Sequence, residues 1–212
     1  MKKAKKAKRL VVVLGKPGAG KDGLINEFVK MGYSCGHISP GQCGRDEKSK
    51  GSDLGMRMDA YQDAGILAPL ELVEELIGPR VKMHKDKEVL FLDGFPRNME
   101  QLPLLFKFEE EFGYDELHVW DVETSDRECV RRLVAAKRGR SDDGCPRKAS
   151  YRIKEVFKNE TLPVINFFEH GDGRHKVHFV RLSGEDMRAE ASQYVRDFAH
   201  LWKLHCPFHH LI

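Results

Sequence analysis

Residues 10–23 read LVVVLGKPGAGKDG, and this stretch decides the fold. Leu10 to Leu14 is short, apolar and mostly β-branched, and it ends at Gly15, the pattern of a strand buried on both faces. Gly15-Lys16-Pro17-Gly18-Ala19-Gly20-Lys21 follows as G-x-x-x-x-G-K, and a helix is expected from near Gly20 to about Met31. In such a strand–loop–helix unit the backbone N–H groups point inward at phosphate oxygens. The helix N-terminus adds partial positive charge. Lys21 is spaced to reach the β- and γ-phosphates of a nucleotide. An ordinary glycine-rich turn would require neither the buried strand before it nor the lysine at its end.

The residue after the lysine is discordant. A hydroxyl that holds Mg²⁺ is usual there, but this chain has Asp22, followed by Gly23. Two readings stand. Asp22 is a carboxylate ligand for Mg²⁺, or it is a like charge that repels the phosphates.

Working outward, further short apolar runs read as strands: Tyr33 to Ile38, Val89 to Leu92, Leu117 to Val122 and Val177 to Leu182. Between them, helices are expected over Gly41 to about Gly65, Leu70 to Met83, Met99 to Phe112 and Asp126 to Lys137. Two more cover Tyr151 to His170, kinked at Pro163, and Glu185 to about Leu201. Arg138 to Lys148 is charged, glycine-containing and without period, so it reads as a loop. Strands alternating with helices predict an α/β fold, a P-loop-type parallel sheet with helices on both faces.

A second signature sits on the strand that ends at Asp93. Residues 89–97 read VLFLDGFPR. A carboxylate at the end of a buried strand suits Mg²⁺, held through water. Arg97, after the Gly94-Phe95-Pro96 turn, can grip a phosphate bidentately.

With these residues the chain resembles the adenylate kinase family of nucleoside monophosphate kinases, in its short-lid form. The resemblance runs from Leu10 to about Phe198. It is carried by the phosphate loop, by Leu92 to Arg97 with Gln101 four residues on, and by Gly139-Arg140-Ser141-Asp142-Asp143. Weaker matches are His37 to Arg45, Ala64 to Pro69 and Thr161 to Ile165. The resemblance implies a single domain over residues 1–212, with a helical monophosphate-binding insert at about 39–69, a lid at about 138–148 and a basic tail at 1–9. It implies reversible in-line transfer of the ATP γ-phosphoryl group to AMP, with Mg²⁺.

Position by position, the resemblance implies an ATP site at Gly15, Gly18, Ala19, Gly20, Lys21, Asp22, Gly23, Arg138 and Gly184. It implies an AMP site at Arg45, Gly65, Ile66, Leu67, Gly94, Arg97, Gln101, Arg140 and Arg152. Lys21, Arg97, Arg140 and Arg152 would spread the charge of the moving phosphoryl group, and Asp93 would act on the metal. Gln101 would read adenine through its amide. The short lid lacks a cysteine-bearing insert, which implies no structural zinc.

The chain departs from the family at the phosphates. Ser39-Pro40-Gly41-Gln42 stands where the family has Ser-Thr-Gly-Asp, and Asp22-Gly23 where it has Gly-Thr. Pro40 removes a hydroxyl and a backbone donor. Gln42 removes a carboxylate near the metal, which favours the repulsive reading of Asp22. These departures keep two alternatives in view. One is a UMP/CMP kinase, hinted at by Asn98 and the run from Arg45 but opposed by Gln101. The other is a catalytically weak nucleotide-binding regulatory protein.

Composition sets the frame. The 212 residues are 41% hydrophobic and 33% charged, with a formal charge of +3. That suits one buried sheet with helices and no nucleic-acid or membrane partner. No apolar run reaches the roughly 18 residues of a membrane span, and no secretory signal is read. Lys2, Lys3, Lys5, Lys6, Lys8 and Arg9 read as a solvated, frayed terminus. The five cysteines show no C-x-x-C pair, which fits a reducing cytoplasm, and Cys43 and Cys145 read as inert thiols. His205, His209 and His210 read as a frayed tail in preference to a metal cluster. Asp142 and Asp143 either pair with lid arginines or form a solvated turn. ATP and AMP are the expected partners, and a monomer is the expected state.

Overall fold

Valine and leucine dominate the central strands because those strands have no solvent-facing side. The computed structural model describes residues 7–136, 144–171, 173 and 175–204. Among these, β1 (Arg9–Gly15), β2 (Cys35–Ile38), β3 (Val89–Asp93), β4 (Glu116–Glu123) and β5 (Val177–Ser183) pair in parallel in the order β2-β3-β1-β4-β5. Leu10, Val11, Val12, Val13 and Leu14 are all 0% exposed. Each such side chain contributes roughly 1.5–3 kcal/mol relative to exposure, so the strand that carries the phosphate loop is firmly held.

Alternate residues of the strands serve two cores. Leu10, Val12, Leu14, Leu90 and Leu92 face α4 (Leu70–Met83), α5 (Leu102–Glu111) and α8 (Leu162–His170). Val11, Val13, Phe91 and Trp120 face α1 (Lys21–Lys30), α6 (Asp126–Ala135) and α9 (Met187–Leu201). Trp120 stacks on Phe198 at 4.1 Å and on Trp202 at 5.6 Å, with Phe28 at 5.8 Å. Trp120 and Phe91 are therefore core residues, as expected.

The register places the chemistry. Val13 of β1 pairs with Asp93 of β3, and Gly94 N–H donates to Val13 O at 2.9 Å. The phosphate loop and the Asp93 turn thus leave neighbouring strands side by side, at their carboxyl ends. That is where ligands bind in open α/β sheets.

Several expectations are refined. The helix predicted over Gly41 to Gly65 is two helices, α2 (Pro40–Ser49) and α3 (Asp53–Ala64). Gly51, at φ 70°, turns the chain between them, and Ser52 Oγ caps α3 by accepting from Gly55 N–H at 3.1 Å. The helix expected from Met99 begins with a 3-10 turn, Met99–Gln101, before α5. Of the loop predicted over Arg138 to Lys148, residues 146–148 are the start of α7 (Pro146–Tyr151), because proline is favoured in a first helical turn. Residues 137–143, which hold Arg138, Arg140, Asp142 and Asp143, lie outside the described residues.

The helix predicted over Tyr151 to His170 is not one α-helix kinked at Pro163. A π-wound segment, Arg152–Thr161, joins α7 to α8, and Pro163 sits in the first turn of α8. The winding changes where a kink was expected, because a proline that opens an α-segment forgoes an N–H that has no intrahelical partner there. At the N-terminus, Lys8 and Arg9 are not frayed. Arg9 is 9% exposed within β1, its Nε donates to Glu116 at 2.7 Å, and Lys8 N–H donates to Asp115 at 2.8 Å. Sheet pairing at the edge of the core outweighs the cost of placing these cations there. Residues 205–212, with Cys206 and the three C-terminal histidines, lie outside the described residues.

Candidate active site

Glycine is required in the phosphate loop on two counts. Gly15, Gly18 and Gly20 have φ of 135°, 84° and 104°, which L side chains adopt only with strain. A Cβ on Gly15 would also lie 2.5 Å from the Val122 carbonyl oxygen, and one on Gly18 2.7 Å from that of Cys129. Ala19 N–H donates to Lys16 O at 3.0 Å and tightens the turn. Lys21 Nζ donates to the carbonyls of Gly15 and Lys16, both at 3.2 Å. Its ammonium is thereby laid along the loop that would receive phosphates.

Two supports of this loop were not anticipated. Arg132 of α6 donates to the carbonyls of Ala19 at 3.1 Å and Glu185 at 2.7 Å, while Glu128 holds its Nε at 2.7 Å. Thr124 Oγ1 donates to Ala19 O at 2.9 Å. In sequence, Glu128 and Arg132 look like an ordinary i,i+4 surface pair; only the packing of α6 against the loop reveals the second role. Gly184 is tied to the same place. A Cβ there would lie 2.4 Å from Ala19 O. Its N–H donates to Glu123 O at 2.7 Å.

Below Lys21 lies a cluster of donors. Asp22, His37 and Asp93 each offer a ligand atom, and these atoms all lie within 4.8 Å of one another. Asp93 is 5% exposed, and its Oδ1 is buried with no hydrogen-bond partner. His37 Nε2 is 3.8 Å from Asp93 Oδ2, too long for a hydrogen bond, and is likewise buried without one. The Asp22 carboxyl is pushed up to about 6, first by desolvation and then by the Asp93 charge. Burial works against the Asp93 charge too, but His37 and Lys21 beside it hold that carboxyl well below the usual range. The donors present fit a divalent cation.

On the other side of Asp93 the predicted acceptor residues converge. A Cβ on Gly41 would lie 3.6 Å from Arg45 Nη1 and 3.8 Å from Arg97 Nη2, so both guanidinium groups flank that glycine. Arg97 is held from three directions. Its Nε donates to Gly94 O at 2.7 Å, its N–H donates to Gln101 Oε1 at 2.8 Å, and its carbonyl accepts from Thr161 Oγ1 at 3.0 Å. Gln101 is 3% exposed, and its amide is oriented by the Arg97 backbone. Gly65, Ile66, Leu67, Gly94, Arg97 and Arg152 line one cavity, with Lys21 at its edge. Gln62 of α3, which sequence reading passed over, lines it too and donates to Gly41 O at 3.4 Å. Gln42 is engaged by its own helix: its amide accepts from Arg45 at 2.6 Å and donates to Asp46 at 2.7 Å.

Gly23 opens α1 behind the loop, with Met187 against it. Among the described residues no helix is long and apolar enough to cross a membrane.

Known proteins resemble this chain over the same residues. A family model described as "Adenylate kinase" matches residues 13–172. An adenylate kinase of Flavobacterium johnsoniae is 32% identical over 161 residues, 75% of this chain and 84% of its own length. One from a Synechococcus species is 34% identical over 161 residues, covering 75% and 82%. Adenylate kinase 1 of a Nostoc species is 31% identical over 186 residues, covering 88% and 96%.

Proposed function

The chain belongs to the adenylate kinase family and is a phosphotransferase, a nucleoside monophosphate kinase of ATP and AMP, and we propose that the residues gathered around Asp93 carry that reaction. The supporting observation is a single juxtaposition. The phosphate loop with Lys21, the guanidinium groups of Arg45 and Arg97, and Asp93 line one cavity.

In this reading the loop amides and Lys21 hold the β- and γ-phosphates of ATP. Arg45 and Arg97 hold the phosphate of AMP, and Gln101 faces the adenine. An oxygen of the AMP phosphate attacks the γ-phosphorus in line, and the bond to the β-phosphate oxygen breaks. Charge spreads over the γ-oxygens as this happens. Lys21, Arg97 and Arg152 would meet it, and Arg138 and Arg140 keep the roles the resemblance implies. Positioning and charge stabilisation are the protein's main contribution in such transfers. Mg²⁺ would be held at Asp93, where it would neutralise phosphate charge. The lid at about 138–148 would exclude water, which would otherwise hydrolyse ATP.

The protein acts as a monomer in the cytoplasm in this reading; the free thiols Cys35, Cys43, Cys129 and Cys145 fit a reducing compartment. A coupled assay of ADP formation with AMP, CMP and UMP as acceptors tests the whole proposal. ADP formation fastest with AMP is the expected result. Faster turnover with CMP or UMP would reassign the acceptor. Nucleotide binding without turnover would replace the enzyme with a binding protein.

A further inference from the structure

The carboxylate at position 22 changes what the site can hold. At this position a hydroxyl normally contributes one weak oxygen to a metal that is bound chiefly by phosphates and water. Here a second full carboxylate stands beside Asp93, and an imidazole completes the group. The three donor atoms lie within 4.8 Å of one another. Neighbouring ligands about 2.1 Å from a common ion lie roughly 3.0–3.4 Å apart, so side-chain rotations that close the cluster by about 1–2 Å bring the three atoms onto one ion.

Two further features point to a ligand. Asp93 is 95% buried by its 5% exposure, yet its Oδ1 has no hydrogen-bond partner. His37 Nε2 is also buried without one. Buried polar atoms of this kind are rare unless something satisfies them. Lys21, whose charge acts on both carboxyls, gives its hydrogen bonds to the Gly15 and Lys16 carbonyls. Two carboxyls and an imidazole are thus left facing one another.

We infer that Asp22, His37 and Asp93 form a direct-coordination site for a nitrogen-accepting divalent transition metal, which this chain binds without any nucleotide. The class follows from the donors. Imidazole suits the transition metals, whereas Mg²⁺ prefers oxygen and keeps its waters. A cation between the two carboxyls removes the like-charge repulsion between them. It also resolves the two readings of Asp22. The carboxylate repels a bare phosphate but joins a metal to one. The inference rests on the donor geometry alone, and its test contains no nucleotide, so its failure would leave the kinase reading untouched.

The test uses the full chain, freed of metal by a chelator. Binding is titrated with Mn²⁺ by electron paramagnetic resonance and, in parallel, with Mg²⁺ by calorimetry. Mn²⁺ is chosen because it has little affinity for the cysteines. The expected result is saturable binding of one Mn²⁺, at least about tenfold tighter than Mg²⁺. Asp22→Asn should weaken it by at least about tenfold. His37→Gln should weaken Mn²⁺ and leave Mg²⁺ unchanged, because only the nitrogen selects between them. A measurement on the unaltered protein guards against misfolded variants. Mn²⁺ should broaden the amide resonances of residues 21–23, 37–38 and 93–94 first. The inference is overturned by non-saturable Mn²⁺ binding, by equal affinity for the two ions, by variants that bind as the parent does, or by broadening centred elsewhere.

Discussion

The two sides of Asp93 are built on opposite principles. On the acceptor side Arg97 is held by its own surroundings: it is bonded through its Nε, its N–H and its carbonyl, and Gln101 is fixed by the same network. On the metal side the groups oppose one another: Asp22 and Asp93 repel, and Asp93 Oδ1 and His37 Nε2 are buried without partners. The first arrangement costs little to hold and is ready for a phosphate. The second is held in place by the sheet and the helix around it and gains most when a cation arrives. Preorganised donors lower the cost of binding, whereas unsatisfied ones raise the gain from it.

The comparison breaks first at Lys21, which serves both sides. Lys21→Ala should lower kcat by about 100- to 1000-fold while the circular dichroism spectrum stays unchanged. Equal turnover would remove the phosphate role of the loop.

Arg97→Lys keeps the charge but loses the planar fork that bonds Gly94. With a charged hydrogen bond worth about 1.5–3 kcal/mol, kcat/KM for AMP should fall roughly tenfold to a hundredfold. KM for ATP should barely move. An equal rise in both KM values would show that the two sides are not separately built.

Gln101→Ala sharpens the acceptor side further. An unpaired buried amide partner costs about 1–3 kcal/mol, so the preference for AMP over CMP should fall by roughly 5- to 150-fold. Competition between the two acceptors in one assay measures this directly. An undiminished preference would move base reading to Gln62.

The smallest effect lies on the metal side and depends on pH. A folded-state carboxyl raised from its usual range to about 6 favours the protonated form. Ionising it therefore destabilises the fold, fully above pH 6 and not at all below about pH 4. Asp22→Asn, with metal removed, should stabilise the protein at pH 8 by on the order of 1 kcal/mol once the shift is discounted for solvent screening, because Asp22 is an exposed residue. The gain should vanish as pH falls through 6 toward 4. Denaturant melts at both pH values check it, and a gain that grows toward low pH would contradict the like-charge account.

Legibility in the sequence followed the same division. Residues 10–21 and 89–101 could be read because their chemistry lies in continuous stretches whose spacing is itself the signal. The parallel sheet was legible from its buried runs, and Asp22 was flagged as discordant. His37, Thr124, Gln62 and Arg132 were not read as site residues, because topology brings them in from four different elements and each has an ordinary local pattern. Arg9 was misread as tail, since a charged residue at the start of a buried strand is visible only once Glu116 and Trp202 are beside it. Arg138 and Arg140 remain expectations of the resemblance.

The π-wound segment has a consequence for direction. Successive residues of an α-helix turn by about 100°, so positions nine apart point roughly opposite ways. A π-helix closes its bonds one residue later and has roughly 4.4 residues per turn, so nine residues make close to two full revolutions. Arg152 and Thr161, the ends of the segment, therefore point the same way, with Val156 and Phe157 one revolution between them, and all four line the acceptor cavity. Ordinary winding would send the arginine and the threonine to opposite sides of the rod. The wider coil works as a gear ratio, converting this stretch of chain into a single wall that carries the charge at one end and the clasp on Arg97 at the other.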